Sequence, residues 1–342
     1  MASTTFVDNS SIIYASWLND VNSAVYNGTI TGYNGFKNRI INGAMMIDQR
    51  NAGASKSVTA STDTYVLDRW VVYAVGNAIA AQQVASGVTG IPYVQQLTGA
   101  ASVTTLQTTQ RIESKNIADL ASSTVTLSAY LSNSLLTTVT WTAYYANATD
   151  NFSALTSIAT GTFTVNSTLT QYSTQISLPA NASNGIAIVL QVGAQTSGTF
   201  KIGNVQLEKG TTATSFDYRP YGTEFQLCQR YYEVSPSAVI AYAQSTTAGK
   251  VVSTMQVTKR ATPTISVISG AFPSAQAIAS TFASGLNYTM GTLTITSYNY
   301  ASTTNTYGFD YTNSNAIAGG TGMIYIFNAT VSSPLFSLSA EL

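Results

Sequence analysis

Histidine is absent from this chain of 342 residues. Its absence removes the general base of Ser-His-Asp and Cys-His sites together with the commonest zinc ligand. Charge is scarce too: Asp, Glu, Lys and Arg make up 8% of the chain, against roughly 25% in ordinary soluble domains. The 14 basic and 14 acidic residues cancel. A nucleic-acid partner would call for a basic surplus to displace counterions from phosphate, so none is expected. Beyond Arg260 there is no Lys or Arg at all, and Asp310 and Glu341 are the only acids. Cys228 stands alone, which excludes an intrachain disulfide. No apolar run approaches the ~20 residues that span a bilayer, and no membrane insertion is expected. Nor is there a Gly-rich phosphate loop between a strand and a helix. Glycan cleavage would need two facing carboxylates about 5–9.5 Å apart. The few acids sit mostly at turns or strand ends, and Asp68 beside Arg69 and Glu113 near Arg111 read as local ion pairs. Asp63 and Asp68 lack the acidic loop of a calcium site. No catalytic residue, metal ligand or cofactor is expected.

What the chain does have is β pattern. Hydrophobic residues make up 45%, enough to bury a core, with Ser, Thr, Asn and Gln where charges would ordinarily stand. Between about 37 and 220 the segments TYVLDRWVVYAV, SVTTLQTTQRIE, STVTLSAYLS, TTVTWTAYYAN, SIATGTFTV, QYSTQISLP, GIAIVLQVG and TFKIGNVQLEKG follow one another with turn residues between them. In one of them Val139, Trp141, Ala143 and Tyr145 share a face, while Thr138, Thr140, Thr142 and Tyr144 share the other. That period of two marks a half-buried strand with a wet outer face. About eight such strands without intervening helices predict a two-sheet sandwich or jelly roll over 37–220, with Trp70 and Trp141 in its core.

Two helical pieces punctuate the β pattern. Trp17, Leu18, Val21 and Val25 recur at helical spacing, with Ser16 as cap and Asn27-Gly28 as stop. So short a helix needs a packing partner. Residues 1–36 therefore read either as a helix folded onto the next domain or as a segment for attachment and oligomerisation. The second piece is a hinge at 224–232, with Thr223 and Gln226 at capping-box spacing and Cys228 as a small packing residue. Beyond it, 221–342 reads as a smaller C-terminal β domain.

Several stretches, in order, resemble a widespread group of bacteriophage tail-fibre and receptor-binding proteins. They are SSIIYASWLNDVNSAVYN near the start, NRIINGAMMIDQRN at 38–51, YVLDRW at 65–70, QRIESKNIADL at 110–120 with VTLSAYLSN at 125–133, VQLEKGTTATSFDYRPYGTEFQLCQRYYE at 205–233, VTKRATPTISV at 257–267 and the ending FSLSAEL. The resemblance implies a middle jelly roll like carbohydrate-binding modules, a smaller β domain after it, attachment to other virion tail proteins through the N-terminus, and a homo-oligomer, usually a trimer. The motifs look structural and bring no binding residues with them. The start of the chain lacks a signal peptide's basic and apolar regions, which suits a virion component released by lysis.

Sugar recognition needs aromatic faces for stacking and amides or hydroxyls for the rim, and the chain holds 21 Tyr. The segment 298–311 interrupts its strands with Asn, Ser and Gly. Tyr298, Tyr300, Tyr307, Phe309 and Tyr311 are accordingly the candidate glycan-binding residues of a receptor-binding tip. The expected function is recognition of host surface polysaccharide without cleavage. A purely structural virion part, such as a capsid fibre or tail adaptor, is the alternative, and a glycan depolymerase the minor one.

Overall fold

The computed structural model describes residues 36–235, 238–245 and 247–268, then shorter pieces at 276–278, 288–290, 293–297, 306–313, 322–327, 334 and 336–342, together with residue 18. Two units separate, Met1–Lys37 and Asn38–Leu342. In the first, Leu18 is helical and exposed. Trp17, Val21 and Val25 lie outside the described residues.

The second unit begins with twelve strands in two antiparallel sheets. One sheet runs β1 (Lys56–Val58), β4 (Ile79–Val88), β5 (Ile91–Thr98), β12 (Thr199–Lys209), β7 (Thr124–Asn133), β10 (Thr170–Ser177). The other runs β2 (Thr64–Leu67), β3 (Trp70–Val75), β6 (Thr105–Ile112), β11 (Ile186–Val192), β8 (Thr138–Ala148), β9 (Asn151–Thr164). Strands β5 to β12 pair as a nest: β5 with β12, β6 with β11, β7 with β10 and β8 with β9. That is a long hairpin rolled over on itself, a jelly roll, with β1–β4 extending one side of each sheet. The alternation read in β8 holds: Val139, Trp141 and Ala143 are buried and Tyr145 packs against the core. Trp70 joins them in the core. Trp141 lies directly across from Gly161 on β9. A Cβ at Gly161 would stand 2.7 Å from the Trp141 ring, so the indole occupies the space of the missing side chain.

After the jelly roll the chain crosses the outer side of the first sheet and enters α2 (Tyr221–Gln229); the earlier helix α1 is the single turn Ser114–Ile117. The hinge helix begins and ends three residues before the expected 224–232, and the capping box does not form. Pro220 stands at its start without a side-chain cap, as suits a residue whose fixed φ prepares a helix and whose missing N–H costs nothing there. Glu224 is held instead by Arg219 at 2.8 Å and by the Asn42 N–H. Tyr232, expected to be helical, opens a strand. Cys228 is fully buried against Ile41, Ile47 and Tyr231, and burial pushes its thiol well up.

The C-terminal strands form two further sheets. One is β13 (Tyr232–Val234), β22 (Phe336–Ser339), β16 (Thr264–Val267). The other is β18 (Tyr288–Met290), β17 (Gln276–Ile278), β21 (Gly322–Phe327), β14 (Ala238–Ala243), β15 (Ala248–Thr254), β20 (Thr306–Asn313), β19 (Leu293–Ser297). The chain is mainly β, as expected.

The scarce charges gather where these parts meet, and the expected local ion pairs give way to distant ones. Asp68 takes Gln49 at 2.6 Å, with Arg50 at 3.7 Å, and Glu113 takes Arg230 at 2.9 Å. Arg111 reaches Asp63 at 2.7 Å and the Leu342 carbonyl at 2.5 Å. Arg69 is buried beneath the Tyr231 ring, 3.6 Å from its centroid, and pairs with Glu341, which also binds Arg50 at 2.9 Å. The reason is the turn: Asp68 and Arg69 are the two residues between β2 and β3, Arg69 in the left-handed region at φ 72°, and each side chain finds its partner on a separate segment.

Candidate functional site

The outer face of the second sheet is built by register. Tyr73 on β3 stands across from Gln107 on β6, Gln107 from Gln191 on β11, Gln191 from Thr140 on β8, and Thr140 from Thr162 on β9. Parallel to this row run Val71, Thr109, Val189, Thr142 and Thr160. Thr142 and Thr160 hydroxyls are 3.0 Å apart. A third row holds Arg111, Ala187 and Tyr144. Five strands about 4.8 Å apart make a face roughly 19 Å across.

Most apolar residues of these strands turn inward, so the pleat sends amides and hydroxyls out; Val71, Val189 and Ala187 share the outer face, where Val71, Thr109 and Ala187 are buried. The side chains of Tyr73, Gln107, Gln191, Thr140 and Tyr144 are half-exposed. They make no hydrogen bond to other described residues, and none of their polar atoms is shut away from solvent. Arg111 is the one charge in the three rows, at the margin and already paired. Such a face can offer neutral donors and acceptors between two tyrosines, and little else.

The opposite face differs. Segment 210–218 roofs the outer side of β12: Thr214 N–H donates to Glu208 Oε1 at 2.8 Å, Asp217 N–H to Gln206 Oε1 at 2.8 Å, and Thr126 Oγ1 to the Gly210 carbonyl at 2.8 Å. Gln206 and Glu208 are buried beneath it.

The residues expected to bind glycan fare otherwise. Tyr298 and Tyr300 lie outside the described residues, as does the side chain of Phe309, whose backbone belongs to β20. Tyr307 and Tyr311 are each 1% exposed, which corrects their reading as exposed tip residues. On β20 they alternate onto the face of buried Val251 and Ala241, across from Ser253 and Gly249. The Tyr311 ring occupies the space of a Gly249 side chain, whose Cβ would lie 2.8 Å from its Cζ. Burial pushes the Tyr311 hydroxyl up to about 12 and raises that of Tyr307. The wet face of β8 was visible in the sequence through Thr140, Thr142 and Tyr144. Tyr73 was hidden in a strand that is apolar almost throughout, and register alone brings it into line with Gln107 and Gln191.

No protein-family model matches the chain, and no curated protein is a significant match. Solved structures do show likeness. A family 4 carbohydrate-binding module matches with TM-score 0.33 and 16% identity, over 49% of this chain and 98% of its own. A family 61 module, solved with β-1,4-galactotriose, matches with TM-score 0.31 and 11% identity, over 51% of this chain and 99% of its own. The enzymatically active domain of tailspike protein 4 from bacteriophage CBA120 matches with TM-score 0.34 and 15% identity, over 51% of this chain but 22% of its own.

Proposed function

We propose that this protein is a non-catalytic glycan-binding subunit of a bacteriophage particle, and that the outer face of β3, β6, β11, β8 and β9 holds the sugar. The observation that carries the reading is the open row Tyr73, Gln107, Gln191, Thr140 and Thr162, neutral along its length, with Tyr144 beside it. A pyranose presents an apolar C–H face and a rim of hydroxyls. A tyrosine ring supplies the first contact at low entropy cost, and amides supply the second. The three rows of this face hold no acid, and Asp48, Asp68 and Glu341 belong to the arginine junction at its Arg111 margin, which supports binding without cleavage. The ordered motif resemblance supports a place on the virion, attachment through the N-terminal segment and assembly as a trimer.

The purely structural alternative has one observation in its favour. The stretches that carry the resemblance build the junction: Asn42, Asp68, Arg69 and Tyr231 are all buried there. Both readings are separated by an array of purified bacterial surface polysaccharides. The full chain is expected to bind at least one of them, and Tyr73→Ala and Tyr144→Ala to weaken that binding by about 1–3 kcal/mol, as central interface contacts do, with unchanged melting. Failure to bind any polysaccharide or to compete with phage adsorption would leave the structural role.

A further inference from the structure

We infer that the chain carries a second glycan site, on an aromatic shelf of two ring pairs, Phe216 with Tyr218 and Tyr221 with Phe225, the first pair lying on the opposite side of the sandwich from the open face. The inference rests on the reading that the chain binds glycan, and it extends that reading to a site the open face does not include.

Tyr218 is 46% and Tyr221 56% exposed, comparable with Tyr242 at 50%, whereas Tyr231, Tyr307 and Tyr311 are buried. Both rings are held from behind. The Tyr218 hydroxyl accepts from Asn204 Nδ2 at 2.7 Å and donates to the Gly90 carbonyl. Its polar end is therefore already engaged with protein, and the ring face is what remains for solvent. Phe216 meets that ring edge to face at 4.7 Å, a favoured aromatic geometry. Tyr221 lies parallel to Phe225, 11° between planes and 6.0 Å between centroids. Rings fixed in this way lose little freedom when a ligand arrives, which is the general source of preorganised affinity.

Beside Phe216 and Tyr218 is a shallow recess with room for little more than a water molecule, so a ligand here would lie across the recess and not within it. Its charged lining is already committed: Arg219 pairs with Glu224 at 2.8 Å and donates to the Ile40 carbonyl at 3.0 Å. What the shelf offers is ring surface and neutral edges, which fits the C–H face of a sugar better than a phosphate or a carboxylate. The Phe216–Tyr218 end of the shelf stands over the outer side of β12, since Asp217 and Thr214 bond Gln206 and Glu208 there. The open face looks the other way. Two sites so placed would engage two stretches of a long polysaccharide, or two chains, and gain avidity without a new contact.

The test uses the full chain and a polysaccharide that the array selects. On the immobilised polymer, Tyr221→Ala and the double variant Tyr218→Ala/Tyr221→Ala are expected to lower apparent affinity by about tenfold or more. In solution, with short fragments of the same polymer, calorimetry should find two fragments per chain for the parent and one for either the shelf variants or Tyr73→Ala. Should Tyr218→Ala fail to fold, Tyr221→Ala alone decides, its hydroxyl being free of protein hydrogen bonds in the described residues. One fragment per parent chain, unaffected by Tyr221→Ala and abolished by Tyr73→Ala, would overturn the shelf and leave the open face standing. Absence of binding to every polysaccharide would remove both. Normal binding together with an altered oligomeric state in Tyr221→Ala would make the shelf a protein interface and overturn the inference.

Discussion

The junction between the jelly roll and the C-terminal strands and the open face of the second sheet treat charge in opposite ways. The junction concentrates it: Arg50 pairs with Asp68 and Glu341, Arg69 with Glu341, Arg111 with Asp63, Arg230 with Glu113 and Lys259 with Glu233. The open face excludes it apart from marginal Arg111. The difference shows where a weakly charged chain gains from its charges. A buried pair is costly to form and costlier to break from one side. It therefore serves where two distant segments must meet in one arrangement, as Glu341 does with Arg50 and Arg69. A surface that meets neutral hydroxyls gains nothing from a strongly hydrated charge, and amides and rings serve it better.

The largest effect expected is at Lys259 and Glu233. Lys259 is 1% and Glu233 2% exposed, the ammonium pairs with the carboxylate and donates to the Gln229 carbonyl at 2.6 Å, and the Gln256 N–H donates to Glu233 at 3.0 Å. Burial pulls the Lys259 ammonium downward against the upward pull of Glu233. Lys259→Met should cost about 3–5 kcal/mol in denaturant unfolding, because it strands a buried carboxylate. Lys259→Met/Glu233→Leu should recover most of that loss. Equal losses in both variants would show that shape, not charge, holds this part of the junction.

Next comes the pH response of Asp68. Burial pushes its carboxyl up to about 7, against the lowering pull of Arg50 and Gln49, with Glu341 and Asp48 adding to the rise. The folded state therefore binds this proton more tightly than the unfolded chain, whose carboxyl titrates near 3.8. The resulting stability is fully present below about pH 4 and is lost as pH rises through 7. Each pKa unit is worth about 1.4 kcal/mol, so the parent should lose about 2–4 kcal/mol relative to Asp68→Asn between pH 4 and pH 8. Parallel stability curves for the two proteins would place Asp68 as an ordinary ionised acid and weaken the contrast between the two regions.

Much of the fold was legible in the sequence, and the reason is local. A strand's alternation is written in consecutive residues, so β8 announced both its core face and its wet face, and the Trp70 and Trp141 burial followed. The ion pairs were not legible, because Asp68 meets Arg50 and Arg69 meets Glu341 only once the fold brings separate turns and the C-terminal residues together. The open face falls between these cases. Thr140, Thr142 and Tyr144 could be read from one strand, whereas their neighbours Gln191, Gln107 and Tyr73 depend on a register that the sequence does not state. The misplacement of Tyr307 and Tyr311 has the same origin. Asn, Ser and Gly around them suggested exposure, but the pairing with β15 turns both rings inward over Ser253 and Gly249.

A smaller effect is expected at Gly161, where the wall of the face meets the core. Gly161→Ala puts a Cβ within 2.7–2.9 Å of three Trp141 ring atoms, and the indole must shift. Overpacking of this kind costs about 1–3 kcal/mol, read as a lower unfolding midpoint. A neutral result would mean that Trp141 has room to move and that the face above it is less rigid than the register implies.

The smallest effect on stability, and the sharpest test of the contrast, comes from placing charge on the open face. Gln191→Glu and Thr140→Lys alter half-exposed side chains that bond to no described residue. Surface changes of that kind stay within about 0.5 kcal/mol, so melting should hardly move. Glycan binding by the parent should be nearly independent of salt, because screening acts on charge pairs and leaves neutral contacts alone. Both variants should bind a neutral polysaccharide more weakly than the parent, since a charged group must be partly dehydrated against hydroxyls that return less than water does. If the parent's binding instead fell steeply between low and high salt, an acidic glycan would be engaging a cation such as Arg111 or Lys201. The site would then lie at the charged margin of the sandwich and not on its neutral face.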